Sequence, residues 1–230
     1  MLTAAALCPA APLLARELTG TDPVVPELRQ ACREAVDALV QSQPDVTVVL
    51  GPAGQTRSWN AATAKLDLVA YAPALGPRAA LAEPLPVPLG LGGRLLDEAG
   101  YAGRRELQSI GADEQPDACA ALGTQLAQTA PRVALLVMAD GSARRNRRAP
   151  GYLDARSEPF DAEVSRAIRD GDLAALLTLD AELASELMAT GRPAWQVLAG
   201  AADGSRPASA VRYDDDPFGV AYLVASLTFG

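Results

Sequence analysis

The chain has no histidine in its 230 residues. That absence removes the imidazole on which most zinc, copper and non-haem iron sites depend. It also removes the one side chain whose unperturbed pKa lies near neutrality. The three cysteines, Cys8, Cys32 and Cys119, are odd in number and widely spaced, with no CxxC pair. They speak against a disulfide framework or a structural zinc site, and they fit reduced thiols in a cytoplasmic protein. Aromatic residues make up only 4% of the chain while alanine is abundant, so helices are expected to pack closely on small side chains. Positive charge is in deficit, with 20 Lys and Arg against 28 Asp and Glu and a net charge of −8, which argues against nucleic-acid or anionic-membrane binding. Long apolar runs are missing as well. The apolar start MLTAAALCPAAPLL lacks a basic n-region and is broken by Pro9 and Pro12, so it reads as a buried strand and not as a leader or membrane span.

What remains is enough for a sizeable core: 49% of the residues are apolar, and the length suits a single domain over residues 1–230. An unbroken apolar run at Val133 to Met138 and the apolar-rich stretches Leu2 to Cys8 and Val46 to Leu50 predict buried strands. Leu66 to Tyr71 and Arg105 to Ile110 predict two more. A helical stripe over Glu27 to Gln41 carries Leu28, Ala31, Ala35, Leu39 and Val40. Further helices are expected over Leu89 to Ala99, over Ala118 to Ala130 with a start near Pro116, and in a run of four: Phe160 to Arg169, Leu173 to Leu177, Glu182 to Ala189 and Trp195 to Ala201. Ala10 to Thr19 crosses the top of the sheet, and Pro73 to Pro88 reads as surface loop. Closing strands at Ala208 to Tyr213 and Val220 to Thr228 flank the turn Asp214-Asp215-Asp216-Pro217. Alternating strands and helices predict an α/β fold: a mostly parallel, mixed central sheet with helices on both faces.

The central stretch runs from Val133 to Asp154. Its buried strand stops at Ala139-Asp140-Gly141-Ser142, and in open α/β sheets the carboxyl ends of strands are where ligand sites collect. Asp140 and Ser142 are therefore the catalytic candidates. Arg144, Arg145, Arg147 and Arg148 follow within five residues, and such a loop either grips phosphate or carboxylate or is a solvated basic face. Gly51-Pro52-Ala53-Gly54 follows a strand but lacks both phosphate-loop spacings, so it reads as an ordinary turn. Gly90-Leu91-Gly92-Gly93 reads as close helix packing. Three adjacent acids at Asp214 to Asp216 cannot all face one cation, which favours a turn.

CPAAPLL near the start, VVLGPAG after the second strand, MADGSA followed by PGYLDARSEPFD, TGRPAWQVLAGA and the ending YDDDPFGVAYLVAS occur in one order along the chain. In these segments the sequence resembles the class III extradiol ring-cleavage dioxygenase superfamily, the LigB/Memo-like proteins, and within it an actinobacterial branch of extradiol-dioxygenase-like proteins. The resemblance implies a LigB-like fold over the whole chain. It also implies an Fe(II) site of two His and one carboxylate, with a further His as acid/base, or His, His and Cys in the Memo-like members. Laid on this chain, the first His falls at Ala10, the second at Ala53 or Gly54, and the acid/base His at Ala143 after Ser142. The Memo-like Cys falls at Thr190. Every position that carries the chemistry is changed, so no metal or other cofactor is expected, although Fe(II) belongs to the family.

These residues lead to a pseudoenzyme: a protein that keeps the cleft without the iron and binds a small anionic or aromatic ligand or a protein partner. Its ligand residues would be Ala10, Ala53, Gly54, Asp140, Gly141, Ser142, Ala143, Arg144, Arg145 and Thr190. Two alternatives stay open. One is an enzyme in the same cleft, metal-free or a residual oxidoreductase of aromatic compounds. The other is an interaction protein whose cleft has filled with side chains. A homodimer is compatible with all of these readings.

Overall fold

All six residues from Val133 to Met138 are buried, as a strand covered on both faces requires. The structure, a computed structural model, describes residues 1–19, 25–66, 68, 71 and 84–230. Its strands are β1 (Leu2–Cys8), β2 (Val46–Ala53), β3 (Arg57–Trp59), β4 (Lys65–Leu66), β5 (Pro84–Leu85), β6 (Arg104–Gly111), β7 (Val133–Met138), β8 (Ala208–Asp215) and β9 (Tyr222–Thr228). Seven of them form one sheet in the order β3-β6-β2-β7-β1-β9-β8. The inner four, β6, β2, β7 and β1, run parallel, while β3, β9 and β8 join their neighbours antiparallel.

The α-helices are α1 (Arg16–Thr19), α2 (Pro26–Gln41), α3 (Val87–Glu98), α4 (Pro116–Leu126), α5 (Ser157–Arg169), α6 (Ala181–Glu186) and α7 (Arg192–Ala202). On α2 the buried residues Leu28, Ala31, Cys32, Ala35, Val36 and Leu39 form one stripe at helical spacing. This stripe meets Ala4, Ala6, Cys8, Leu136 and Met138 on one side of the sheet, together with residues of α3. The opposite side carries Leu7, Val48, Leu50, Leu135 and Val137, packed against α4, α5 and α7. Each fully buried Leu or Val side chain stabilises the fold by roughly 1.5–3 kcal/mol. Helices thus cover both faces of a mixed, mostly parallel sheet, as the strand–helix alternation predicts.

Small residues fix the closest helix contact. A Cβ on Gly200 of α7 would lie 2.2 Å from the Ala120 carbonyl oxygen of α4, and one on Gly123 would lie 2.0 Å from the Val197 carbonyl oxygen.

Several boundaries differ from the sequence expectation. Val46 to Leu50 continues as strand to Ala53, so Gly51-Pro52-Ala53 is paired with β6 and is not yet a turn. Pairing with β7 ends at Leu50, which leaves Pro52 on a one-sided stretch where a missing N–H is tolerated. The third expected strand, Leu66 to Tyr71, is not a member of the central sheet. Lys65–Leu66 pairs instead with Pro84–Leu85 in a separate two-stranded sheet, and residues 67, 69 and 70 lie outside the described residues. Of the expected loop Pro73 to Pro88, residues 73–83 lie outside them too, while Val87 and Pro88 already open α3. Arg57–Trp59 is a strand that the sequence does not announce; its three residues are too few for a visible period. Leu173–Thr178 is a 3-10 helix, and β8 runs on through Asp214 and Asp215, so the turn begins only at Asp216.

Candidate functional site

At the carboxyl edge of the sheet β1 ends at Cys8, β2 at Ala53, β6 at Gly111 and β7 at Met138. Because β9 is antiparallel to β1, it enters at this same edge with Tyr222. The Ala10 amide donates to Asp140 Oδ1 at 2.9 Å, linking the ends of β1 and β7. The Gly191 amide donates to the Asp140 carbonyl oxygen at 2.9 Å, which brings Thr190 and the start of α7 to the same residue. A Cβ on Gly191 would come within 2.6 Å of that oxygen, so only glycine permits the approach. Ala10 packs in the layer shared with α2, whereas Thr190 precedes α7 on the other layer; they meet over the end of β7.

Asp140 is partly buried, and its carboxyl pKa is pushed up to about 7 by loss of solvent, against the opposing effect of the Ala10 amide. Tyr222 is buried, and its phenol is pushed above the ordinary value by burial and then by the negative charge of Asp140. Asp140, with its carboxyl near neutrality, is the group on this edge suited to proton transfer, while the Tyr222 phenol stays protonated within its electrostatic reach.

Ser142 faces elsewhere. It is fully buried; its amide donates to Asp161 Oδ1 at 2.9 Å and its hydroxyl to Asp161 Oδ2 at 2.5 Å. The hydroxyl therefore holds the loop against α5. Burial raises the pKa of Asp161, opposed by Ser142 and Arg145. Arg145 in turn sits 3.8 Å from Asp161 Oδ2 and 2.8 Å from Asp216 Oδ2. These residues, with Glu158, Asp214 and Asp215, line a cavity of about 300 Å³ whose acids outnumber its arginines. Arg145 is half-buried and its charge is already matched by these acids. Arg144 is different: its Nε is buried beside Gly151, without a hydrogen-bond partner among the described residues. Arg147 and Arg148 are exposed.

Gly141 and Ala143 are buried, and their amides are tied to the Ala221 and Leu187 carbonyls. Ala53 and Gly54 stand on the same edge at the end of β2, and no hydrogen bond joins them to Asp140. Ala10 and Gly191 are thus bonded to Asp140, Thr190 adjoins Gly191 on the wall of a separate cavity, Ala53 and Gly54 stand at the end of β2, and Ser142 turns away. The positions that the resemblance assigns to iron ligands offer methyl groups, a glycine and one hydroxyl. Among the described residues no three Cys, Asp or Glu side chains gather as metal ligands. The residues present do not fit an Fe(II) centre.

Three buried or half-buried groups at this edge, Asp161, Tyr222 and Arg192, do not stand out in the sequence. A signal exists for the first: Ser157, Asp161 and Ser165 recur every four residues beside the apolar stripe of Phe160, Val164 and Ile168.

No family model and no curated protein matches the chain. Among solved structures, an uncharacterized protein of Escherichia coli, JW3007, matches 98% of this chain and 99% of its own, with a TM-score of 0.59 at 12% identity. At that identity the likeness concerns the fold.

Proposed function

We propose that the chain is a class III extradiol dioxygenase-like protein, of LigB type, that binds a small aromatic or anionic ligand at its carboxyl edge without iron and without ring cleavage. The observation that supports this reading is the constellation at Asp140. Residues 10, 140 and 191, from three distant parts of the chain, are joined by hydrogen bonds around one partly exposed carboxyl that titrates near neutrality. Such groups cluster at functional sites. The basic loop adds Arg144, whose Nε has no hydrogen-bond partner among the described residues although its charge also acts on Asp154, and a guanidinium suits an anionic substituent.

The test is a thermal-shift and calorimetric titration with catechol and 3,4-dihydroxybenzoate in the presence of a chelator. Saturable binding that is lost in Asp140→Ala and weakened in Arg144→Ala supports the reading. Binding that needs added Fe(II) overturns it.

A second reading rests on the Asp140 pKa. A carboxyl that titrates near pH 7 is matched to general acid/base work at neutral pH, and the metal-free enzyme would use Asp140 with Tyr222 beside it. Turnover of a bound catechol or benzoate under chelator, following an ionisation near neutrality and lost in Asp140→Asn, favours this reading over simple binding.

A further inference from the structure

Arg192 opens α7 and is only 2% exposed. Its guanidinium donates from Nη1 to the Glu114 carbonyl at 2.6 Å and to Gln196 Oε1 at 3.0 Å, and from Nη2 to the Ala112 carbonyl at 2.6 Å. All three acceptors are neutral. Among the described residues no carboxylate pairs with this charge. A buried cation without a counter-charge is costly, and the cost falls when an anion joins it. A guanidinium has about five N–H donors. The bonds above leave Nε–H and one N–H of Nη2 without an acceptor among the described residues.

Arg192 also borders a cavity of about 120 Å³ between α6, the start of α7 and the loop after β6. Thr190, Ser185 and Ala112 share its wall. The amino end of α7 contributes only its helix dipole, since the Gly191 and Arg192 amides already donate to the Asp140 and Ala189 carbonyls and Pro193 has no N–H. The space is well below the roughly 300–1,000 Å³ of drug-sized sites, which limits an occupant to a few heavy atoms. Asp113, exposed on the rim, disfavours a doubly charged ion.

We infer that this cavity binds a small monocarboxylate, with Arg192 as the anchoring cation. The site lies on the α6–α7 side of Thr190 and does not rest on the reading of the Asp140 edge. The structural alternative is that Arg192 only clamps residues 112–114 to α7.

The test is a titration of the intact chain with sodium acetate, against sodium chloride at matched ionic strength, following the side-chain N–H signals of the arginines. Acetate is expected to shift the Arg192 Nε–H signal saturably while chloride does not. Arg192→Gln also removes three structural bonds, so Ala112→Asp is the deciding variant: it places a tethered carboxylate on the cavity wall. It should weaken acetate binding at least tenfold, about 1.4 kcal/mol, while Asp140→Asn leaves it unchanged. Equal responses to acetate and chloride, no saturation, or an Ala112→Asp variant that binds acetate like the parent would each overturn the inference and leave Arg192 as a clamp.

Discussion

The Ala10 amide and the Asp140 carboxylate meet at 2.9 Å, and this bond joins the ends of two adjacent parallel strands. It favours the charged carboxylate, yet burial opposes it more strongly and carries the pKa from 3.8 to about 7. The folded protein therefore holds the proton more tightly than the unfolded chain does. Stability contributed by the protonated group is complete below pH 3.8 and declines as the pH rises toward about 7.

The first prediction follows from that sign. Asp140→Asn should flatten the pH dependence of stability between pH 4 and 7 and stabilise the protein at pH 8 by on the order of 1–3 kcal/mol. Denaturant midpoints of parent and variant across this range provide the check, and a parent-minus-variant stability difference that does not fall between pH 4 and 7 would contradict it.

Ser142 and Asp161 supply a second. Ser142→Ala removes the O–H donor of a 2.5 Å bond and leaves a mostly buried carboxylate with one partner fewer. The expected loss is about 1–2 kcal/mol, with ligand binding at the Asp140 edge retained. If the variant keeps full stability but loses binding, the hydroxyl has a role in the site itself.

The third concerns α4 and α7. In Gly200→Ala the new methyl would lie 2.2 Å from the Ala120 carbonyl oxygen, a backbone atom that moves only with its helix. A destabilisation of about 1–3 kcal/mol is expected, seen as a lower melting temperature. An unchanged melting temperature would mean that the two helices are not packed this closely.

The thiols provide the fourth. Cys8, Cys32 and Cys119 are all buried. A hydrogen bond with Cys32, then burial, raises Cys8, and burial raises Cys119 to about 11. At pH 8 the native protein should resist alkylation at all three, with full labelling only in denaturant. Rapid native labelling at any of them would contradict the packing around β1, α2 or α4.

The centre of the sheet was legible because β7 is an unbroken apolar run and β1 and the first half of β2 are apolar but for one threonine each, and the carboxyl end of β7 leads to Asp140. The lattice of bonds at that edge was not legible. Asp161 and Tyr222 matter only through neighbours far away in sequence, and no period records that Ser142 turns toward α5. Arg192 was hidden in the same way: it stands at the start of a helix whose residues are nearly all buried, where only tertiary contact shows that no acid among the described residues pairs with its charge. The short strands failed for a different reason, since two or three residues cannot display alternation.

On the proposed reading, the Asp140 edge binds its ligand without iron. The most direct measurement is a titration of the chelator-treated protein with 3,4-dihydroxybenzoate, following the backbone amide signals of Ala10, Asp140 and Gly191. Binding without iron predicts saturable shifts at these three amides, the same with and without added Fe(II), and no oxygen uptake. Shifts that appear only when Fe(II) is supplied, accompanied by oxygen consumption and ring cleavage, would contradict it.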